Sequence, residues 1–281
     1  MKKIGLGILI VCSVGLLTSC KTSEVEMINT ERVDSKNIEQ INLSYKSEDL
    51  RFFIGSEDEI VIEEYLGSEK DKATVRTQNG RLSIESGKND KWRILPTLTN
   101  HVHIYLPKEY QKDLIIETNS GSVELADSFE LNKVSIEQNS GDLKIKEIKA
   151  DEMSFRTSSG SLKGDLLDSD NIKAASNSGS VKFGKILGNA DLETKSGSIK
   201  TSFVSVSKNV QAVSKSGNVS IELPKNLSFD FQGETKSGSF LTDYEMSLSG
   251  PEEVVTASIG NGDKKIVKIK TNSGNIELTK R

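Results

Sequence analysis

The chain has 281 residues, 37 of them basic and 41 acidic, a formal net charge of −4 and only 5% aromatic residues. This composition is mildly acidic and contains no long basic run, so we expect no nucleic-acid partner. At 35% hydrophobic residues the chain can still bury a sizeable core.

The first predicted element is a bacterial export signal. Lys2 and Lys3 precede an apolar run over residues 4–17, which is too short to cross about 30 Å of hydrocarbon. The run ends in Leu-Thr-Ser-Cys at positions 17–20, which resembles a lipobox. In such signals the cysteine receives a diacylglyceryl group and becomes the new N-terminus. We therefore expect a signal peptide over residues 1–19 and lipidation, including palmitate, at Cys20. The alternative is a plain secretory signal with a chance cysteine.

Cleavage at this site has consequences for chemistry and location. It removes Cys12, so no disulfide can form within the mature chain and no thiolate is left for catalysis. It also removes Lys2 and Lys3, leaving 35 basic and 41 acidic residues. The sequence thus predicts an extracytoplasmic protein on the bacterial cell membrane or the outer membrane. Its membrane contact is through the acyl chains.

Residues 20–37 are polar and aperiodic, and we interpret them as a lipidated flexible tether. From residue 38 to residue 281 the pattern is that of short strands with period-two alternation, which predicts one β-repeat domain. Residues 38–113 keep strand character but loosen the period, and we interpret them as an irregular, capping part. Within it, Gly80 marks a degenerate repeat. The Leu-Pro-Lys segments at 106–108 and 223–225 mark breaks between strands, and Asn261-Gly262 is a hairpin signal.

A Thr-x-Ser-Gly motif, or a near variant, recurs through the last two-thirds of the chain. Its glycines are spaced by 20, 19, 19, 18, 20, 21 and 36 residues, the last interval being close to two periods. Such self-similarity predicts a stacked repeat with rungs of about 20 residues. We expect each glycine to form a structural turn, because glycine reaches positive φ without a Cβ penalty. These glycines are Gly121, Gly141, Gly160, Gly179, Gly197, Gly217, Gly238 and Gly274.

Aligning the repeats on the glycine predicts which side chains face inward. Apolar residues stand two and usually four positions after it and five before it, so each unit should be two short strands facing one core. The position three before the glycine has inward parity but holds Thr118, Gln138, Thr157, Ser176, Thr194, Ser214, Thr235 and Thr271. We expect this row inside, bonded to its neighbours or to the corner backbone. An outward threonine ladder, as on ice-binding solenoids, is the alternative.

The lipobox, the strand-rich start and the segment LPKEYQKDLIIETNSGSVEL, followed by Thr-x-Ser-Gly rungs, resemble the bacterial putative-adhesin family of β-strand-repeat envelope lipoproteins. The resemblance covers about residues 38–281. It implies an all-β, elongated β-solenoid or stacked sheet on the cell envelope. Some relatives are tied to envelope-stress signalling. The family has no agreed catalytic motif, so the resemblance implies no catalytic residue.

Few residues are candidates for site chemistry. Asp165, Asp168 and Asp170 form the densest acidic cluster, which a polar surface loop explains as well as a calcium or glycosidase site does. His101 and His103 share one strand face and could ligate a metal with a third partner. Trp92 could stack on a sugar or a lipid headgroup, or cap the first rung. We predict no catalytic residue, no metal and no cofactor.

These observations favour a non-enzymatic binding scaffold, adhesive in the sense that weak contacts on many rungs act together. An envelope glycan or an envelope protein is the expected ligand. The first alternative is an envelope-stress accessory or structural protein that acts through a protein partner. The second is a carbohydrate-active enzyme.

Overall fold

The computed structural model describes residues 25–55, 58–87, 100–246 and 254–281, which fold almost entirely as β-strands of one 20-stranded sheet. The predicted all-β repeat fold is therefore confirmed. Within these ranges the only helical element is a 3-10 turn at Glu69–Asp71. No helix in the described part of the chain is long and apolar enough to span a membrane.

The strands differ in length between the ends and the middle of the chain. The N-terminal strands are β1 Met27–Asp34, β2 Gln40–Tyr45, β3 Asp49–Gly55, β4 Glu59–Tyr65, β5 Thr74–Gln78, β6 Arg81–Glu85, β7 His101–Pro107 and β8 Asp113–Thr118. The long central strands are β9 Val123–Ser140, β10 Leu143–Ser159, β11 Leu162–Ser178 and β12 Val181–Ser196. The C-terminal strands are β13 Ile199–Ser205, β14 Asn209–Ser216, β15 Val219–Leu223, β16 Phe229–Ser237, β17 Phe240–Thr242, β18 Val254–Ile259, β19 Lys265–Ser273 and β20 Ile276–Lys280.

Each long central strand is one full rung of a solenoid. β9 to β12 pair in parallel with the next rung, so that equivalent residues such as Leu143 and Leu162, or Ser159 and Ser178, lie side by side. The chain therefore returns to the same lateral position after each repeat and builds a column along the hydrogen-bonding direction, at about 4.8 Å per rung. The rung length predicted from the glycine spacing is confirmed by this register.

A central rung has three inward-facing runs, whereas the glycine alignment predicts two. In β10 the inward residues are Leu143 and Ile145 on the first side, Ile148 and Ala150 on the second, and Met153, Phe155 and Thr157 on the third. The two pairs between the sides, Lys146-Glu147 and Asp151-Glu152, face outward and turn the chain. Two successive outward residues reverse the period-two parity, which is why an alignment on the glycine alone misses the second side. Burial of each large apolar side chain contributes about 1.5–3 kcal/mol.

The predicted turn glycines form one column at the corner between the third side and the first side of the next rung. Gly179 has a φ of +151°, and a Cβ there would overlap the carbonyl oxygen of Gly160. The same overlap recurs at Gly121 and Gly238, which are not in the left-handed region. Close stacking of backbone on backbone, in addition to positive φ, therefore selects glycine at this corner.

The hydroxyl row three positions before the glycine lies inside, as predicted. Thr194 is fully buried, and its Oγ1 donates to the carbonyl of Gly179 at 2.8 Å. Ser176, Ser214, Thr235 and Thr271 donate in the same way to the corner glycine of the neighbouring rung, and Gln138 does so through its amide. The row therefore satisfies six of the corner carbonyls. An outward ice-binding ladder is excluded.

The N-terminal end of the column is not stacked in chain order. The rung formed by β2 and β3 lies between that of β6 and β7 and that of β8 and the start of β9. Its corner residue is Glu48 instead of glycine, and the Gly121 corner packs on the Glu48 carbonyl. Gly80, predicted as a repeat corner, is instead part of the turn between antiparallel β5 and β6. Asn79 and Gly80 both have positive φ there, as a tight hairpin requires.

The tether prediction for residues 20–37 is wrong over Met27–Asp34. These residues form β1, which pairs antiparallel with β4 along its length. Asn29 donates to the buried Glu64 carboxylate at 2.9 Å. The segment is polar because β1 is an edge strand, and polar side chains on an edge discourage pairing with other chains. The polar composition of this segment therefore led to the wrong prediction of a tether instead of a strand.

At the C-terminal end of the column, too, the rungs are not stacked in chain order. The rung of β19 and β20 lies between that of β14 and β15 and that of β16 and β17, so Gly274 stacks between Gly217 and Gly238. This placement explains the double interval before Gly274. The hairpin predicted at Asn261-Gly262 is wrong, because β18 and β19 lie on opposite sides of β16. The predicted breaks after β7 and β15 are confirmed.

Among the described residues, the first side reads β1, β4, β7, β3, β9, β10, β11, β12, β13, β15, β20, β17. The third side reads β5, β6, β2, β8, β9, β10, β11, β12, β14, β19, β16, β18. At strand spacing this depth gives a column about 55 Å long.

Candidate functional site

The acidic cluster predicted from the sequence does not converge on one point. Asp165 lies at the corner after the first side of its rung. Asp168 lies on the second side in register with Lys149, and Asp170 accepts a hydrogen bond from Ser207 Oγ at 2.8 Å. Across the described ranges, no group of three or more His, Cys, Asp or Glu side chains could hold a metal ion. The structure thus gives these aspartates surface roles.

The most distinctive surface is a group of aromatic rings on the outer face of the first side, near the N-terminal end. Phe53 of β3, Tyr65 of β4, and His101, His103 and Tyr105 of β7 form this aromatic patch. Alternation puts their neighbours Phe52, Ile104 and Val102 in the core, which turns the rings outward. Because β7 pairs with β3 on one edge and with β4 on the other, three separate segments contribute to one surface.

The rings of the aromatic patch touch each other in sequence. Tyr65 stacks on His101 with centroids 4.5 Å apart, and His101 lies 5.1 Å from His103. Phe53 meets His103 edge-on at 5.3 Å and stacks with Tyr105 at 5.4 Å. All five rings are half-buried by this mutual packing, which holds the patch rigid while leaving part of each ring in solvent.

A single carboxylate lies among the rings. Glu63, directly opposite His103 on β4, accepts hydrogen bonds from Tyr65 and Tyr105 through the same oxygen, each at 3.2 Å. Burial raises the pKa of both tyrosines, and the Glu63 charge raises it further. The hydroxyls are therefore protonated donors at neutral pH.

His103 is the most enclosed polar group of the patch. Its Nε2 is buried and has no hydrogen-bond partner within the described residues. Burial lowers the pKa of His103, electrostatic repulsion from His101 and Arg51 lowers it further, and Glu63 acts in the opposite direction. The ring is therefore neutral at neutral pH, which suits a stacking surface better than an imidazolium does.

Next to the patch is a depression of about 360 Å³, lined by Arg32, Ile54, Gly55, Glu59, Val61, Glu63 and Tyr105. Arg32 forms an ion pair with Glu59 at 3.2 Å on its rim. The depression thus combines a ring edge, a carboxylate and a guanidinium in a space large enough for one or two sugar rings.

The sequence identified some of this surface and missed the rest. It placed His101 and His103 on one strand face, which the structure confirms. It gave no sign that Glu63, on the neighbouring strand β4, lies opposite His103. Trp92, the predicted sugar- or lipid-stacking residue, lies outside the described residues. Phe53 and Tyr65 went unnoticed because each stands alone in its own segment, and Tyr105 went unnoticed although it follows His103 at the next outward position of β7.

Comparison with known proteins identifies the family. A family model described as Toastrack DUF4097 matches residues 38–279. The chain belongs to the Toastrack family. The family resemblance drawn from the strand-rich start and the rungs, over about residues 38–281, is confirmed by this match. Among curated proteins, none matches this Toastrack chain.

Several solved structures resemble this Toastrack protein over most of its length. A putative adhesin from Parabacteroides distasonis is 10% identical, with a TM-score of 0.49, covering 89% of this chain and 96% of its own. A putative lipid binding protein from the same species is 13% identical, with a TM-score of 0.45 and coverages of 90% and 96%. A putative cell adhesion protein from Clostridium sporogenes is 15% identical, with a TM-score of 0.28 and coverages of 90% and 99%.

Proposed function

We propose that this Toastrack protein is a non-enzymatic binding protein of the bacterial cell envelope and that its aromatic patch binds a glycan. The observation that carries the proposal is the packing of five rings around Glu63 on an outward sheet face. Sugar C–H faces pack on aromatic rings, and sugar hydroxyls donate to carboxylates. Because the rings are already packed, binding orders few side chains.

The anchor is part of the same proposal. A lipid on Cys20 would be separated from β1 by only residues 21–26, which reach at most about 20 Å when extended. The N-terminal end of the column, which carries the aromatic patch, would then lie close to the membrane surface. Loss of palmitate labelling in a Cys20→Ser variant is the expected result, and retained labelling would contradict the anchor.

Hydrolysis of the bound glycan does not fit the arrangement of carboxylates. Two carboxylates, Glu59 and Glu63, line the depression beside the patch. Glycosidases need one carboxyl group that donates a proton to the leaving group and a second that acts as nucleophile or base. Here Glu63 accepts hydrogen bonds from Tyr65 and Tyr105. Arg32 also engages Glu59 in an ion pair. These observations support binding rather than cleavage.

The test is a glycan array probed with the soluble chain from Lys21 and three variants. Tyr105→Ala removes one ring and should weaken binding at least about tenfold, which is about 1.4 kcal/mol. Tyr105→Phe keeps the ring and loses one hydrogen bond to Glu63, so its loss should be smaller. Phe240→Ala, at the opposite end of the column, is the control for general destabilisation.

Melting curves for all variants distinguish a variant that has lost only its binding from one that has lost its fold. Equal binding by the parent chain and a folded Tyr105→Ala variant would contradict the glycan proposal. Binding to an envelope protein instead of any glycan would favour the alternative in which the column acts through a protein partner.

A further inference from the structure

A column of lysines runs along the outer face of the first side in the central rungs. Lys163 of β11, Lys182 of β12 and Lys200 of β13 are direct neighbours in the parallel register. They are all exposed, and successive residues lie about one strand spacing apart, near 4.8 Å. Lys144 of β10 continues the column on one side but is paired with Glu124 at 2.6 Å.

The three central lysines lie beside one another rather than beside carboxylates. Many other lysines on the rungs reach a carboxylate on the neighbouring rung, as in the pairs Lys133–Glu152, Lys149–Glu130 and Lys270–Glu234 at 3.2, 2.8 and 2.7 Å. Lys163, Lys182 and Lys200 have no carboxylate partner within the described ranges. Like charges directly opposite each other on neighbouring strands are destabilising. An anionic ligand along the column would remove that repulsion.

The same three lysines border a groove of about 390 Å³. Gly164 and Gly184 contribute no side chains to it, and Phe183 and Thr201 also line it. A Cβ at Gly184 would overlap the carbonyl oxygen of Asp165, so the backbone itself approaches closely at this corner. Thr201 is 3% exposed, and its Oγ1 has no hydrogen-bond partner in the part of the chain that the structure describes.

We propose that this lysine-lined groove binds an extended acidic polysaccharide of the uronate type, lying along the column axis. Each sugar of an extended chain advances by about the spacing of one rung, so successive carboxylates can meet successive lysines. The rings would lie over the corner at Gly164 and Gly184, where these two residues project no side chain. This inference goes beyond the glycan proposal, because the site, the rungs and the ligand charge all differ from those of the aromatic patch.

The carboxylates on the rim of the groove limit how densely charged a bound ligand can be. Asp165 and Glu222 also line it, and these carboxylates repel a densely charged polymer while accepting hydrogen bonds from sugar hydroxyls. A polymer with one negative charge per sugar fits three lysines and two carboxylates better than polyphosphate does. The groove therefore favours an acidic glycan over inorganic polyanions.

The test uses the soluble chain from Lys21 and defined oligogalacturonates, with dextran as the neutral polymer and polyphosphate as the dense polyanion. The column variant carries Lys163→Gln, Lys182→Gln and Lys200→Gln. The matched control carries Lys133→Gln, Lys149→Gln and Lys270→Gln, which changes the net charge by the same amount on lysines that are already paired. We expect at least a tenfold loss of oligogalacturonate affinity in the column variant and less than a twofold loss in the control.

Two further readouts complete the test. The column variant should melt no lower than the parent, because it removes repulsion, whereas the control should melt lower. Tyr105→Ala should leave this binding unchanged, which separates it from the aromatic patch. Equal losses in both triple variants, preference for polyphosphate, or no binding to the parent would overturn the proposal.

Discussion

Five of the glycine corners accept a hydrogen bond from one small hydroxyl side chain inside the rung. Thr194 donates to the Gly179 carbonyl at 2.8 Å, whereas Thr157, at the equivalent position two rungs away, is buried with no partner among the described residues. Both threonines are buried and both lie beside Ser176 in the stack, so they form a matched pair for measuring the value of this hydrogen bond.

We predict that Thr194→Val lowers the free energy of unfolding by about 1–2 kcal/mol, because it leaves a buried carbonyl unpaired. Thr157→Val should change it by less than about 0.5 kcal/mol, because it removes a hydroxyl that bonds to nothing. Urea unfolding of both variants is the measurement. Equal losses would mean that the hydroxyl row acts by packing rather than by hydrogen bonding.

Residue-level prediction from the sequence succeeds wherever the glycine is present to set the alignment. The offsets from Gly141 or Gly160 correctly place the inward apolar side chains and the buried hydroxyl row. The same alignment misses the rung at Tyr45, Ser47 and Glu48, where tyrosine replaces threonine and glutamate replaces glycine. The lysine column is visible in the sequence three residues after four successive glycines, Gly141 to Gly197, but only the observed pairing shows that three of its members have no carboxylate partner among the described residues.

At the scale of single elements, β1 decides how the N-terminal end of the column is closed. It covers the outer edge of β4, and Asn29 supplies a hydrogen bond to the buried Glu64 carboxylate. Without β1, the edge of β4 would present unpaired N–H and C=O groups, and an edge of that kind recruits other chains.

We predict that deletion of residues 21–34 lowers the free energy of unfolding by at least about 2 kcal/mol and promotes dimers, relative to the chain from Lys21. Deletion of residues 21–26 alone should change neither property, because β1 begins at Met27. Chemical unfolding and light scattering measure the two effects. If both deletions behave alike, β1 contributes nothing to the folded body.

Elements whose position depends on tertiary pairing are the hardest to predict from the sequence. The second side of each central rung follows from outward pairs such as Lys146-Glu147, which look like ordinary polar residues in a strand. Asn261-Gly262 has hairpin chemistry, yet the strands around it lie on opposite sides of β16. In both cases tertiary pairing, which has no local sequence signature, overrides the local pattern.

At the scale of the whole molecule, order along the column differs from order along the chain. β20 is the last strand in sequence but is paired with β15 on one edge and β17 on the other. β17, about 36 residues earlier, pairs only with β20 within the described ranges. Repeat proteins lose structure first at the ends of the stack, so stability should follow position in the column.

We therefore predict that backbone amides of Ile276–Lys280 exchange at least about tenfold more slowly than those of Phe240–Thr242 and Val254–Ile259. Hydrogen exchange followed by mass spectrometry resolves these segments. Faster exchange at the C-terminus than in β17 would show that chain order, and not the stacking order, governs local opening.

The placement of β19 and β20 also constrains how the molecule can be made. A nascent chain emerges N-terminus first, and early segments begin to fold before late ones exist. β16 and β17 are complete well before β19 and β20, yet both rest on those two strands. The rung of β16 and β17 must therefore wait for β19 and β20 before it can join the column, so the rung at the C-terminal end is made before the rung that connects it to the rest of the stack.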